Sequence, residues 1–364
     1  MQFVSKDNSV AQRLPLPIHT LYAELVERCA LDRLVSDFPV SGSFFTKTTG
    51  GRTYWYFRET AGGDGKRHDR YVGPDNPDLQ RRIQEHRQAK ISYRERRTLV
   101  TTLQRAGLRP PDARAGRVLE VLADAGVFRL RAVVVGTVAY QAYAGLLGVL
   151  LASRNIMTGD LDLAQFESVS IAVDDRIETP LVQILKTADP RFEPVMDPIS
   201  TRHATRYAAG DDFRVDILTP NEGPDDGGPV LLPALRAEAQ PLRFLDFLIY
   251  EEVQAVILFG AGVAVNVPAP ERFALHKLLV SRLRLQNRDS QAKAAKDLRQ
   301  ASELIDVLSD LRPYELRDLW SEMTSRGPKW SRMAHEALAL LDTATGSSAV
   351  REKLQGVVGI DRAS

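Results

Sequence analysis

Three aspartates constrain this chain more than any other feature of it. Asp160 and Asp162 belong to the run Asp160-Leu161-Asp162-Leu163, and Asp216 to Phe213-Arg214-Val215-Asp216-Ile217-Leu218. Both runs read as strands. Side chains alternate faces along a strand, so Asp160 and Asp162 point one way while Leu161 and Leu163 face a core. Asp216, flanked by Val215 and Ile217, can meet them from a neighbouring strand. Three carboxylates on one sheet face repel each other unless a cation lies among them. Hard oxygen ligands suit Mg²⁺ or Mn²⁺, which take one or two carboxylates together with the phosphates of a substrate. Upstream, Val133-Val134-Val135-Gly136-Thr137 is an apolar run that ends in a glycine and a hydroxyl residue. A strand-to-helix turn of that kind offers backbone N–H groups to phosphate. A single Asp-x-Asp is usually a loop or a cap. The three features in this order, each on an apolar strand, are far more specific.

That order, Gly136-Thr137, then Asp160-x-Asp162, then Asp216, resembles the signature of the DNA polymerase β-type nucleotidyltransferase superfamily. In detail the chain is most similar to bacterial nucleotidyltransferase-like proteins related to abortive-infection, type IV toxin-like nucleotidyltransferases. The resemblance covers roughly residues 115 to 308. It implies that Asp160 and Asp162 bind metal and that Asp216, part of the same metal site, helps activate the attacking hydroxyl. The segments Leu275-His276-Lys277 and Lys296-Asp297-Leu298 resemble the family's downstream helical motifs, with lysine at 296 where arginine is commoner. Carried over, Lys277 contacts phosphates and Asp297 supports the site. Read without the resemblance, a lysine in an apolar helical segment snorkels to solvent, or neutralises charge if a triphosphate lies beside it.

The expected fold class is α/β (α+β): a small mixed-sheet nucleotidyltransferase palm between an N-terminal helix and β-hairpin region and a C-terminal helical domain. The expected boundaries are 1–112, 113–268 and 269–364. Residues 16 to 38 are helical in pattern, with Leu21, Leu25, Leu31 and Val35 as candidate core positions. Thr53 to Phe57 and Arg67 to Val72 read as paired strands about a turn at 61–65, and a charged helix follows from Pro77 to Ala106. Between residues 46 and 115 there are 16 lysines and arginines against 8 acids, a local net of +8 in a chain of +1. With Tyr54, Trp55, Tyr56 and Tyr71 among these basic residues, two readings stand. One is a nucleic-acid surface that combines phosphate contacts with stacking. The other, which we favour slightly, is a solvated helix beside a hairpin whose aromatics are core.

Further along, Ala115 to Phe128 is an amphipathic helix, Val169 to Val173 a strand, and the segment from Pro180 to Lys186 a helix. Arg202, His203 and Arg206 approach the Asp216 strand, where a basic residue can hold a triphosphate or simply be solvated. Asn221 to Pro229 is an exposed loop. Val253 to Leu258 and Val263 to Val267 form a hairpin through Phe259-Gly260-Ala261-Gly262, which lacks the third glycine of a dinucleotide fingerprint. From Pro268 the chain becomes helical, with Pro270-Glu271 as a helix start, and beyond Ala344 the periodicity fades, so a frayed end is expected.

The single cysteine, Cys29, excludes an internal disulfide framework and a Cys-based zinc site, and reads as a small buried residue. No apolar run reaches the roughly eighteen residues of a membrane span, and no signal peptide is evident, so a cytoplasmic protein is expected. The function expected is Mg-dependent transfer of a nucleoside monophosphate from ATP or another nucleoside triphosphate. Asp160, Asp162 and Asp216 are catalytic, and Gly136, Thr137, Arg206, Lys277 and Asp297 bind nucleotide. The acceptor is an RNA 3′ end or a protein hydroxyl, and a toxin-like role implies an antitoxin-like protein partner. The alternative is a nucleic-acid-binding regulatory protein on a non-catalytic nucleotidyltransferase scaffold.

Overall fold

The structure, a computed structural model, describes residues 11–31, 38–60, 67–151, 159–196, 204–221, 223, 228–286 and 290–359. Val35, the turn at 61–65, Arg202 and His203, and part of the 221–229 loop lie outside the described residues. The chain opens with β1 (Gln12–Arg13), α1 (Leu16–Leu31), the strands β2 (Ser43–Thr49), β3 (Arg52–Thr60) and β4 (Arg67–Pro74), and the long helix α2 (Pro77–Arg105). Next come α3 (Ala113–Asp124), β5 (Val133–Val135), α4 (Gly136–Leu147), β6 (Val149–Leu150) and β7 (Asp160–Ala164). They are followed by α5 (Glu167–Ala172), α6 (Leu181–Ala188), β8 (Phe192–Val195), β9 (Arg206–Ala209) and β10 (Arg214–Pro220). After β11 (Val230–Leu232), β12 (Ala237–Leu242) and α7 (Leu245–Ile249) comes the hairpin of β13 (Glu252–Ile257) and β14 (Val263–Pro268). Five helices complete the described chain: α8 (Pro270–Arg284), α9 (Gln291–Leu311), α10 (Pro313–Ser325), α11 (Pro328–Thr345) and α12 (Ala349–Val358).

The central sheet has the order β11-β12-β10-β7-β5, with β9 pairing β10 and β8 pairing β9. It is mixed: β7 and β12 run parallel to β10, whereas β5 is antiparallel to β7 and β9 to β10. Period-two burial sets its faces. Val215, Ile217 and Thr219 of β10 are buried, while Arg214, Asp216 and Leu218 stand on the other, more open face. The inward residues join one core with α3, α4, α8 and α9. Phe273 of α8 is fully buried against Tyr140 and Tyr143 of α4, with ring centroids 6.2 and 5.1 Å apart, and Tyr143 donates to the Pro268 carbonyl at 2.9 Å. This aromatic contact ties the helical C-terminal half to the sheet.

The N-terminal elements have a core of their own. Tyr22, Leu25 and Cys29, at helical spacing on α1, pack against Val100 and Leu103 of α2 and Val256 of β13. Leu31 is not a core position; it stands 72% exposed on the opposite face of α1, and Leu21 is only half buried. The strands β2, β3 and β4 form an antiparallel meander. Gly50 and Gly51 turn β2 into β3 with φ of 58° and 73°, the paired left-handed conformation of a tight hairpin that only glycine adopts freely. On one face of the meander Phe44 and Phe57 pack with Phe38 against His86 of α2. The reading of the hairpin aromatics as core thus holds for this face only, because Tyr54, Tyr56 and Tyr71 lie on the other.

Two expectations are corrected. Val169 to Val173 alternates like a strand, but residues 169–172 belong to α5 and Val173 ends it, with Ile171 65% exposed and the buried Ser170 hydroxyl accepting from the Ala234 amide at 3.0 Å. Six residues are too few to display a helical period in sequence. Among the described residues the chain after 344 is not frayed but forms a further helix, α12. α12 docks through Val350 and Leu354, and Lys353 bridges Asp306 and Asp310 of α9 at 2.8 and 2.7 Å.

The Tyr140–Tyr143–Phe273 contact predicts a sharp asymmetry between core and surface. Phe273→Ala should cost about 3–5 kcal/mol of folding free energy, as a buried aromatic deletion does. Leu16→Ala, at a residue 75% exposed, should stay within about 0.5 kcal/mol. Urea denaturation followed by circular dichroism compares the two.

Candidate active site

The site is assembled by strand register. In the sheet Asp162 of β7 stands opposite Asp216 of β10 on one side and Val135 of β5 on the other. Asp160, two residues earlier on the same face, stands opposite Arg214. Arg206 of β9 stands opposite Asp216. Immediately after Val135, Gly136 takes φ 69° and turns the chain into α4. A Cβ at that position would sit 2.6 Å from Asp162 Oδ2, so the carboxylate fills the space where any other residue would carry a side chain. Thr137 is buried behind it, and no side chain caps the first turn of α4. The turn therefore keeps its leading N–H groups beside the carboxylates.

Two arginines share these acids. Arg206 Nε lies 2.5 Å from Asp216 Oδ1, and Arg214 Nη2 lies 2.7 Å from Asp160 Oδ2 and its Nε 3.8 Å from Asp216 Oδ2. Asp162 is left with burial and like charge. Desolvation first, then Asp216 and Asp160, push its pKa up to about 6, against the pull of Lys277 and Arg284.

That pull comes from α8 and α9, which form the opposing wall. Asp297, almost wholly buried, accepts from Lys277 at 2.5 Å and also from Arg284. Lys296 next to it has its pKa lowered by burial and by Lys277, while Asp297, Asp160 and Asp162 act to raise it. His276 is pushed down to about 3 by burial and by Lys277, so it stays neutral at neutral pH. One wall thus carries three carboxylates, and the other carries Lys277 and Arg284 paired to a single buried aspartate, with Lys296 beside them.

All eight site residues read from the sequence fall in these two walls. Arg206 pairs with Asp216 while its side chain stays about half exposed, and Lys277 is held by Asp297 rather than snorkelling freely. Sequence reading missed Arg214 and Arg284. Both follow the rules that found the rest: Arg214 is two residues from Asp216 on one strand face, and Arg284 is seven residues, about two turns, from Lys277.

The donor set suits a hard divalent cation. Among the described residues no three carboxylate, histidine or cysteine groups close into a ligand cage. An open pair of carboxylates completed by substrate phosphates is the form in which Mg²⁺ is ordinarily held.

A mixed sheet with paired carboxylates beside a glycine turn and a basic helical wall is the arrangement of a nucleotidyl-transferring protein. The chain belongs to the nucleotidyltransferase family, whose model matches residues 113–325, more than half its length. A second model, a domain of unknown function (DUF6788), matches residues 13–82. No curated protein and no solved structure matches the chain. Among the described residues no helix is long and apolar enough to cross a membrane.

The raised pKa of Asp162 has a definite sign. Between about 3.9, its unfolded value, and about 6 the native state holds a proton that the unfolded chain has released. Stability therefore falls as pH rises through that window and stays lower above it. Asp162→Asn, which cannot ionise, should be more stable than the parent above pH 6 by on the order of 1–3 kcal/mol, and the difference should vanish towards pH 4. Thermal unfolding in EDTA across this range measures it.

Proposed function

We propose that this protein is a metal-dependent nucleotidyltransferase of the DNA polymerase β type that moves a nucleoside monophosphate from ATP or another nucleoside triphosphate to an acceptor hydroxyl. The observation that carries the reading is the pairing of two walls of opposite charge, with Gly136 at the foot of one. A triphosphate laid between them puts its β- and γ-phosphates against the first turn of α4 at Gly136 and Thr137. Lys277, Arg284 and Lys296 neutralise its charge from the other side, and Asp297 fixes the direction of the first two. Arg206, on the strand beside Asp216, is within reach of the same phosphates.

Asp160 and Asp162, with Asp216, would hold Mg²⁺ or Mn²⁺, which supplies Lewis-acid polarisation of the α-phosphate and charge stabilisation of the leaving pyrophosphate. Asp216 faces the acceptor and takes the proton of its hydroxyl. The acceptor oxygen bonds to the α-phosphorus, the bond from that phosphorus to the β-phosphate bridge breaks, and pyrophosphate departs. Gly136 keeps the approach short, since a larger residue there would displace the Asp162 carboxylate. The acceptor is an RNA 3′ end or a protein hydroxyl. The resemblance of its motifs to those of abortive-infection nucleotidyltransferases adds to this proposal a toxin-like role in the cytoplasm, restrained by an antitoxin-like protein.

Incubation with each α-³²P nucleoside triphosphate, Mg²⁺ and cellular RNA or protein tests this. Label should enter one macromolecular fraction, and Asp162→Asn should reduce the rate by roughly 10²-fold or more, the size of a lost transition-state charge contact. Absence of transfer with every nucleotide, alongside intact nucleic-acid binding, would instead assign the fold a scaffolding role.

A further inference from the structure

The three-stranded meander presents its second face to solvent. Phe44, Trp55, Phe57 and Arg70 alternate towards α2, and Phe45, Lys47, Tyr54, Tyr56, Arg58 and Tyr71 point away. Register lines three of these rings up across the strands, because Phe45 pairs with Tyr56 and Tyr56 with Tyr71. Phe45 and Tyr56 stack at 5.6 Å and 25°, Tyr56 meets Tyr71 at 5.5 Å, and Tyr54 meets Tyr71 at 6.2 Å. These rings are not sealed. Tyr71 is 53% exposed, and the other three are only partly covered. Cations edge the row: Lys47 Nζ lies 4.5 Å from the Tyr56 ring, Arg58 lies 4.5 Å from Phe45 while also pairing with Asp69, and Arg67 is exposed at the end of β4. The surrounding segment, residues 46–115, carries a net of +8 in a chain of +1.

We propose that this face binds single-stranded nucleic acid, with bases stacked on the Phe45–Tyr56–Tyr71 row and phosphates on Lys47, Arg67 and their neighbours. Flat rings interleaved with cations match a polyanion whose bases are free to stack. A duplex keeps its base faces covered, and an acidic peptide would use the cations but not the rings. The binding face stands apart from the carboxylate site and needs no nucleoside triphosphate. It can therefore be present or absent whatever the fate of the nucleotidyl-transfer reading.

Fluorescence anisotropy of the full chain, without nucleotide, tests it with labelled oligouridylate and oligothymidylate of about twelve nucleotides, within the usual site size for such platforms. A duplex of the same length and polyglutamate serve as competitors. One or both single strands should bind and the duplex should compete at least tenfold more weakly; the two strands distinguish an RNA from a DNA ligand. Tyr71→Ala should weaken binding roughly tenfold, the loss of one stacked base, while Tyr71→Phe, which keeps the ring, should bind as the parent does. Lys47→Ala should flatten the dependence of log affinity on log salt by about 0.7, the share of one single-strand phosphate. Failure of either strand to bind, equal competition by duplex or polyglutamate, or indifference to both Tyr71→Ala and Lys47→Ala would overturn the proposal. So would loss of binding in Asp162→Asn, which would place the strand in the cleft.

Discussion

Everything around the carboxylate cluster answers to one constraint, the repulsion among Asp160, Asp162 and Asp216. Strand register leaves no escape from it. Asp162 and Asp216 occupy paired positions on adjacent parallel strands, and Asp160 is the next residue on the same face. The protein offsets the repulsion in three ways: Arg206 and Arg214 bond two of the acids, the α8–α9 cations act on the third, and the third still holds its proton up to about pH 6. A fold that only needed a stable sheet would place Val or Thr at these positions. Keeping three acids on one half-buried face stores an affinity for positive charge.

The opposing wall is built on the inverse logic. Asp297 is buried, and a buried carboxylate without partners would be costly. Lys277 and Arg284, spaced two turns apart on α8, both reach it across the α8–α9 interface. Two cations on one acid leave net positive charge directed at the carboxylate wall. The Phe273 contact with Tyr140 and Tyr143 fixes α8 against α4, whose first turn begins at Gly136. The separation of the two walls is thereby set by core packing and not by the charges themselves, which would otherwise draw together.

Much of this was legible in the sequence, and the pattern of what was not is physical. Period two put Asp160, Asp162 and Asp216 on one face, and an apolar run ending at Gly136 gave the turn. Arg214 and Arg284 were equally accessible to those rules. They went unread because a basic residue near an acid is ordinarily solvated, so it attracts notice only once register shows what it faces. The α5 segment failed for a different reason: Val169, Ile171 and Val173 satisfy strand alternation, and only the tertiary placement of Ser170 against the Ala234 amide reveals a helix. The meander aromatics split between two faces, which no count of tyrosines discloses. Alternation along a known strand does, once the strand ends are fixed.

The arginines that hold the acids also bear on how such a site opens. Arg206 is 47% exposed along its side chain and Asp216 16%. Arg206 can therefore leave the pair into water, while Asp216, the more buried partner, still has Arg214 at 3.8 Å. In the proposed reaction, an arriving triphosphate offers Arg206 a more highly charged partner on the same side of the sheet, and Asp216 would then be free to help Asp160 and Asp162 hold the metal. Lys277 and Arg284 cannot exchange so readily, since their common partner is buried and losing either would leave Asp297 short of charge. In the proposed reaction the two walls would thereby divide the work: the α8–α9 side, fixed on its buried acid, would set where the phosphates lie, and the strand side would yield its arginine to substrate.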